Sequence, residues 1–180
     1  FTPSHRLILS TELSQLDRGF ADWREHSLRY VRLSAPRTST EVGLTGTRRF
    51  GLDDTQIDLA HTRPLGERLV GTVQASASPT ERVLPSRSVG ANLQYEFAPA
   101  WLLHGGLRHT RYPSTEVNRL NLMLERYVGN FSASLAWAPS RALGESTSVV
   151  EARGTWFWSE RASLGLIASR GDEATELGPG

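Results

Sequence analysis

The chain has 180 residues, 38% hydrophobic and 22% charged, and its twenty basic residues, all arginine, face nineteen Asp and Glu for a formal charge of +1. That balance excludes nucleic-acid binding through bulk charge, and it excludes a disordered polyelectrolyte. The absence of cysteine excludes a disulfide framework, a thiolate metal site and a Cys nucleophile, and no apolar run approaches the roughly eighteen residues of a transmembrane helix.

In chain order, segments 6–13, 26–34, 40–49, 55–63 and 69–78 alternate weakly between apolar and polar residues. Ser88 to Phe97 alternates without a miss. Val89, Ala91, Leu93, Tyr95 and Phe97 occupy one face; Ser88, Gly90, Asn92, Gln94 and Glu96 occupy the other. That is period two, the strand signal. Segment 101–111 follows. In 117–127, Leu120, Leu122 and Leu124 alternate with Arg119, Asn121, Met123 and Glu125; a helical face of Leu120, Leu124 and Tyr127 competes, but its neighbours on both sides read as strands. Phe131, Ala133, Leu135 and Trp137, then 148–158, then Ala162, Leu164, Leu166 and Ala168 complete about eleven strands. The fold class expected is an all-β, antiparallel up-and-down barrel forming a single domain over 1–180.

Each segment runs about nine to eleven residues, the length of a tilted strand crossing a bilayer rather than the five or six of an average soluble strand. Longer connections are expected near 13–25, 48–55, 78–87, 111–117 and 138–147, with tight ones near 34–38, 63–68, 97–101, 127–131 and 158–161. Short turns at one end and long loops at the other mark an outer-membrane barrel. Aromatics gather near the tight turns (Phe97, Trp101, Tyr127, Phe131, Trp156, Trp158) and near the longer loops (Phe20, Trp23, Phe50, Tyr112, Trp137), as in two interfacial girdles. The chain opens at Phe1 with no leader, as a processed protein or a fragment does, and an odd strand count leaves a single-chain barrel unclosed, so a C-terminal truncation is expected. The rival fold is a soluble, lipocalin-like barrel with Val89, Leu93, Leu120, Leu122 and Leu135 inside.

Several short motifs then resemble the YaiO family of outer-membrane β-barrels. They are Thr47-Arg48-Arg49-Phe50-Gly51 with Asp53-Asp54, Ser76-Ala77-Ser78-Pro79-Thr80 with Leu84-Pro85, Trp101, Gly106-Leu107-Arg108, Tyr112, Val117-Asn118, Glu125-Arg126-Tyr127 and Gly171-Asp172-Glu173. Their order and spacing carry the resemblance over about residues 23–175. It implies a Gram-negative outer-membrane barrel, with strands beyond Gly180 and, in some relatives, periplasmic tetratricopeptide repeats as a partner or domain. It implies no catalytic residues. Some relatives lie near exopolysaccharide machinery, which suggests glycan export by analogy.

With apolar faces toward lipid, the inward charges are Glu12, Arg29, Glu41, Arg49, Asp58, Glu96, Arg108, Arg119, Glu125, Glu151 and Arg153. The bland reading is a mixed-sign ladder in which arginines and carboxylates neutralise one another across strands. The functional reading is a porin-like conduit for an uncharged or weakly charged polar solute such as a saccharide. A third reading is a lipid-modifying hydrolase, with His104 inward and serines 132, 134 and 163 inward on later strands; no G-x-S-x-G elbow supports it. The histidines show no metal spacing, so neither metal nor cofactor is expected. Asp53-Asp54 reads as a polar turn or a loop cation site, and Arg48-Arg49 as a solvated or paired loop end or a contact to lipopolysaccharide phosphates. Expected partners are outer-membrane lipid, lipopolysaccharide and a glycan or other polar solute, with no nucleic acid.

Overall fold

The computed structural model describes residues 1–14, 23–159 and 162–171. Eleven strands form one sheet in chain order. They are β1 (Ser4–Ser14), β2 (Trp23–Ala35), β3 (Thr38–Arg49), β4 (Leu52–Pro64), β5 (Leu69–Ala77), β6 (Arg87–Ala98), β7 (Trp101–Arg111), β8 (Glu116–Val128), β9 (Phe131–Ala142), β10 (Glu145–Ser159) and β11 (Ala162–Gly171). Every neighbouring pair is antiparallel. Among the described residues the sheet is not closed: β1 and β11 are each paired on one side only. Segment 117–127 is strand, as its neighbours required.

We call the end carrying connections 50–51, 78–86, 112–115 and 143–144 the upper rim, and the opposite end the lower rim. The expected contrast in connection length holds at only one of these places. Residues 78–86 form a long connection, whereas 48–55 and 138–147 shrink to the two-residue turns Phe50–Gly51 and Leu143–Gly144. In both turns both residues have positive φ (54° and 75°; 52° and 83°). That is the twist of the tight hairpin turn whose geometry matches the strands it joins. On the lower rim, Pro36–Arg37 and Pro99–Ala100 put proline before a left-handed residue, and register shifts at Leu33/Ala35 and Glu96/Ala98 absorb the extra residue as bulges. The connections at 15–22 and 160–161 lie outside the described residues.

Cross-strand partners share a face, so the register sorts every side chain. One face carries Glu25, Ser27 and Arg29 of β2, Glu41, Thr45 and Thr47 of β3, Asp54, Gln56 and Asp58 of β4, and so on around the sheet. The other carries Leu28, Val42, Leu44, Ile57, Leu59, Val89, Leu93, Leu122 and Leu135. The polar face is the enclosed one. Thr47 and Asp54 are 4% and 3% exposed, while Leu107 and Leu135 are 66% and 57% exposed. Among the described residues only Leu84 and Ala142 are buried hydrophobics. This is a soluble protein turned inside out. A lipocalin-like interior would require Val89, Leu93, Leu122 and Leu135 to be covered; instead each is exposed.

Candidate functional site

The polar face holds all eleven charged residues expected inward, including Glu41, Arg49, Asp58, Glu96, Arg108, Arg119, Glu125, Glu151 and Arg153. They do not form one continuous ladder. Arg29 Nε lies 3.0 Å from Glu41 Oε1 across β2 and β3. Arg49 Nη2 reaches Glu25 Oε2 at 3.3 Å and its guanidinium sits 5.0 Å from the Trp23 ring centroid. Arg153 pairs with Glu151 at 3.1 Å along its own strand. Asp58 accepts a hydrogen bond from Gln56 at 2.8 Å. Glu12 faces Glu25, and Glu96 faces Leu102. Arg108 faces Arg119 directly.

Between these charges run cross-strand hydroxyl pairs. Ser10–Ser27 are 2.6 Å apart; Thr62–Thr72, Ser76–Ser88 and Ser140–Thr147 are each 2.8 Å apart. Each hydroxyl both donates and accepts, so these pairs satisfy one another without charge.

His104 stands between Gln94 and Met123 and hydrogen-bonds through Nε2 to Glu125 Oε2 at 3.2 Å. Ser134 faces Glu125, Ser132 faces Tyr127 and Ser163 faces Phe157. Among the described residues none of these serines hydrogen-bonds to His104, so the base and acid of a triad are present without a nucleophile on the imidazole.

At the upper rim, Asp54 gathers the long connection. Its carboxylate accepts hydrogen bonds from the backbone amides of Arg82 (2.9 Å to Oδ2), Val83 (2.6 Å) and Leu84 (2.7 Å). Thr80 Oγ1 accepts a further bond from the Thr55 amide at 3.1 Å. The segment is thereby folded onto the polar face, and Leu84 is buried beneath it. Asp53 points to the opposite face, 3.9 Å from Arg48. Asp53-Asp54 is therefore neither a turn nor a cation loop, because alternation within β4 separates the two carboxylates. The same alternation separates Arg48, on the apolar face, from Arg49, on the polar one.

On the apolar face, the lower rim of β6 to β10 carries an aromatic row. Phe97 and Trp101 have centroids 6.0 Å apart, Phe131 stacks on Trp156 at 6.1 Å, and Trp156 meets Trp158 at 5.6 Å. Arg126 lies 4.7 Å over Trp101. Three residues expected in the girdles are elsewhere: Tyr127 and Trp23 occupy the polar face by register, and Trp137 lies at the middle of β9, opposite Leu122. Phe20 lies outside the described residues.

An enclosed polar face, an exposed leucine face and an interfacial aromatic row are the marks of a membrane barrel. The profile of the YaiO membrane β-barrel domain matches residues 4–175. The chain belongs to this family. No curated protein matches it. As a YaiO membrane barrel, the chain turns its leucines toward lipid and its paired charges inward. Among the polar-face residues missed in the sequence are Glu25 and Asp54. Glu25 was legible in principle, since it lies two alternations from Arg29; Asp54 was not, because its partners are about thirty residues away in a connection without periodicity.

Proposed function

We propose that this YaiO barrel resides in the bacterial outer membrane and provides a polar path for an uncharged solute of the saccharide class. The observation that carries the reading is the alternation of neutralised charge with hydroxyl pairs along the enclosed face. Arg29–Glu41, Arg49–Glu25 and Arg153–Glu151 neutralise six charges on that face, and Ser and Thr rows offer donors and acceptors to hydroxylated solutes. Export of a glycan is the physiological direction that family context suggests. Liposome swelling by the intact protein with neutral sugars of increasing size tests the reading. Swelling with a size cut-off supports it; vesicles that stay tight to the smallest sugar overturn it.

A second reading rests on Asp54. The connection it holds lies against the polar face at the upper rim, which suits a non-conducting barrel that acts as an accessory or scaffold. Vesicles that swell only after Asp54→Ala favour this reading.

A further inference from the structure

We propose that the upper rim between β7, β8 and β9 is a binding site for the phosphorylated headgroup of an anionic lipid, which reaches it from the side through the barrel wall. It rests on three observations that neither the conduit nor the scaffold reading uses.

Pro139 interrupts the wall. Pairing between β8 and β9 passes from Arg119–Ser140 to Leu122–Trp137, skipping Leu120 and Asn121 opposite Pro139 and Ala138. Proline has no N–H to give to the ladder, and within a sheet it belongs at an edge or a bulge. Here it sits in a strand paired on both sides; the register is the same before and after the gap, but the pairing is continuous only on the β10 side.

A cavity of about 400 Å³ opens at the same place. Its lining mixes the two faces of the sheet. Arg108, Arg119 and Ser140 come from the polar face; Leu107, Leu120 and Pro139 come from the lipid face. A site lined from both faces is accessible to a molecule with a polar head and an apolar body.

The head must be an anion. Arg108 and Arg119 are cross-strand partners, and among the described residues neither makes an ion pair. Like charges directly opposite one another destabilise a sheet. Arg29, Arg49 and Arg153 on this face have carboxylate partners, whereas Arg108 and Arg119 stand opposite one another. Gly90, on the far side of Arg108, adds no side chain that would cover it. Arg141 and His109 also line the cavity, and no carboxylate does. Two guanidiniums offer a phosphate several N–H donors in fork geometry. Leu107 and Leu120 continue outward along the surface where acyl chains lie.

The intact protein in a non-ionic detergent micelle is the test material, with lipid adducts read by native mass spectrometry. Phosphatidic acid and phosphatidylcholine are the probes, and inorganic phosphate is the soluble competitor. The wild-type protein retains phosphatidic acid at least about tenfold more strongly than phosphatidylcholine, a preference that the Arg108→Gln/Arg119→Gln variant abolishes. Arg63→Gln, on the lipid face at the lower rim, leaves it unchanged. Arg108→Glu provides an independent arm: it converts the repulsive pair into an attractive one, so it removes phosphatidic acid binding while raising the thermal midpoint. Equal retention of the two lipids, or a preference that survives both Arg108 variants, overturns the proposal. Displacement of phosphatidic acid by inorganic phosphate at comparable concentration overturns the lipid as source and leaves a soluble anion in its place.

Discussion

The carboxylate of Asp54 in β4 receives the amide of Leu84, thirty residues away, at 2.7 Å, and through it fixes the longest described connection of the barrel. Two adjacent amides share the same carboxylate. Charge-assisted bonds of this kind are the stronger ones, and deleting the acceptor strands buried donors. Asp54→Ala is expected to cost about 2 kcal/mol and to free residues 78–86. Limited trypsin digestion of the membrane-inserted protein checks this: cleavage after Arg82 accelerates in the variant, while the strands stay protected. Unchanged resistance at Arg82 would show that other contacts hold the segment.

Leu143 makes the opposite case. It is 74% exposed and adopts a φ of 52°, a left-handed conformation that disfavours a β-carbon. Nothing about its side chain compensates within a two-residue turn. Leu143→Gly should therefore stabilise the barrel by about 1 kcal/mol, the balance between relieved strain and the added freedom of the unfolded chain. The urea midpoint of the protein refolded into vesicles reads it. A lowered midpoint would place Leu143 in a contact with lipid or partner that the turn geometry does not require.

The lipid-facing assignment predicts an asymmetric response to charge. Leu122→Arg, near the middle of β8, should cost about 2–4 kcal/mol, the penalty of an arginine at the bilayer midplane. Ser134→Arg, on the polar face beside Glu125, should change stability by less than about 1 kcal/mol. Equal costs at both positions would remove the distinction between the faces.

The Arg29–Glu41 pair tests how much the charges brace the wall. Their side chains are 53% and 33% exposed, so solvent screens them and the coupling should be at most about 1 kcal/mol. A double-mutant cycle with Arg29→Ala and Glu41→Ala, repeated in high salt, should show a small coupling that shrinks further. A larger, salt-independent coupling would mean that the enclosed face is dry.

Much of this architecture was legible in the alternation of residues. Ser88 to Phe97 declares itself a strand, and its phase, carried from segment to segment, places Arg29, Asp58, Arg119 and Glu151 on one face. Alternation assigns a face but not a partner. That Arg108 meets Arg119, while Arg29 meets Glu41, depends on register, which turn geometry sets. Turn length itself was hidden at Phe50 and Leu143, since neither is a residue that ordinarily marks a left-handed turn. Tyr127 lies in sequence among the aromatics of the lower rim, but its place in the alternation of β8 carries it inward with Glu125. The Asp54 clamp joins a strand to a segment without periodicity, so no local pattern announces it.

Which face meets lipid decides the architecture, and the natural absence of cysteine makes that directly measurable. Single cysteines along β8, introduced as Leu120→Cys, Asn121→Cys, Leu122→Cys, Met123→Cys and Leu124→Cys, would be probed in vesicles with a water-soluble maleimide and with a fluorophore quenched by brominated lipid. Labelling by the maleimide at 121 and 123, with lipid quenching at 120, 122 and 124, is the predicted result. The reverse pattern would turn the barrel inside out and contradict the account.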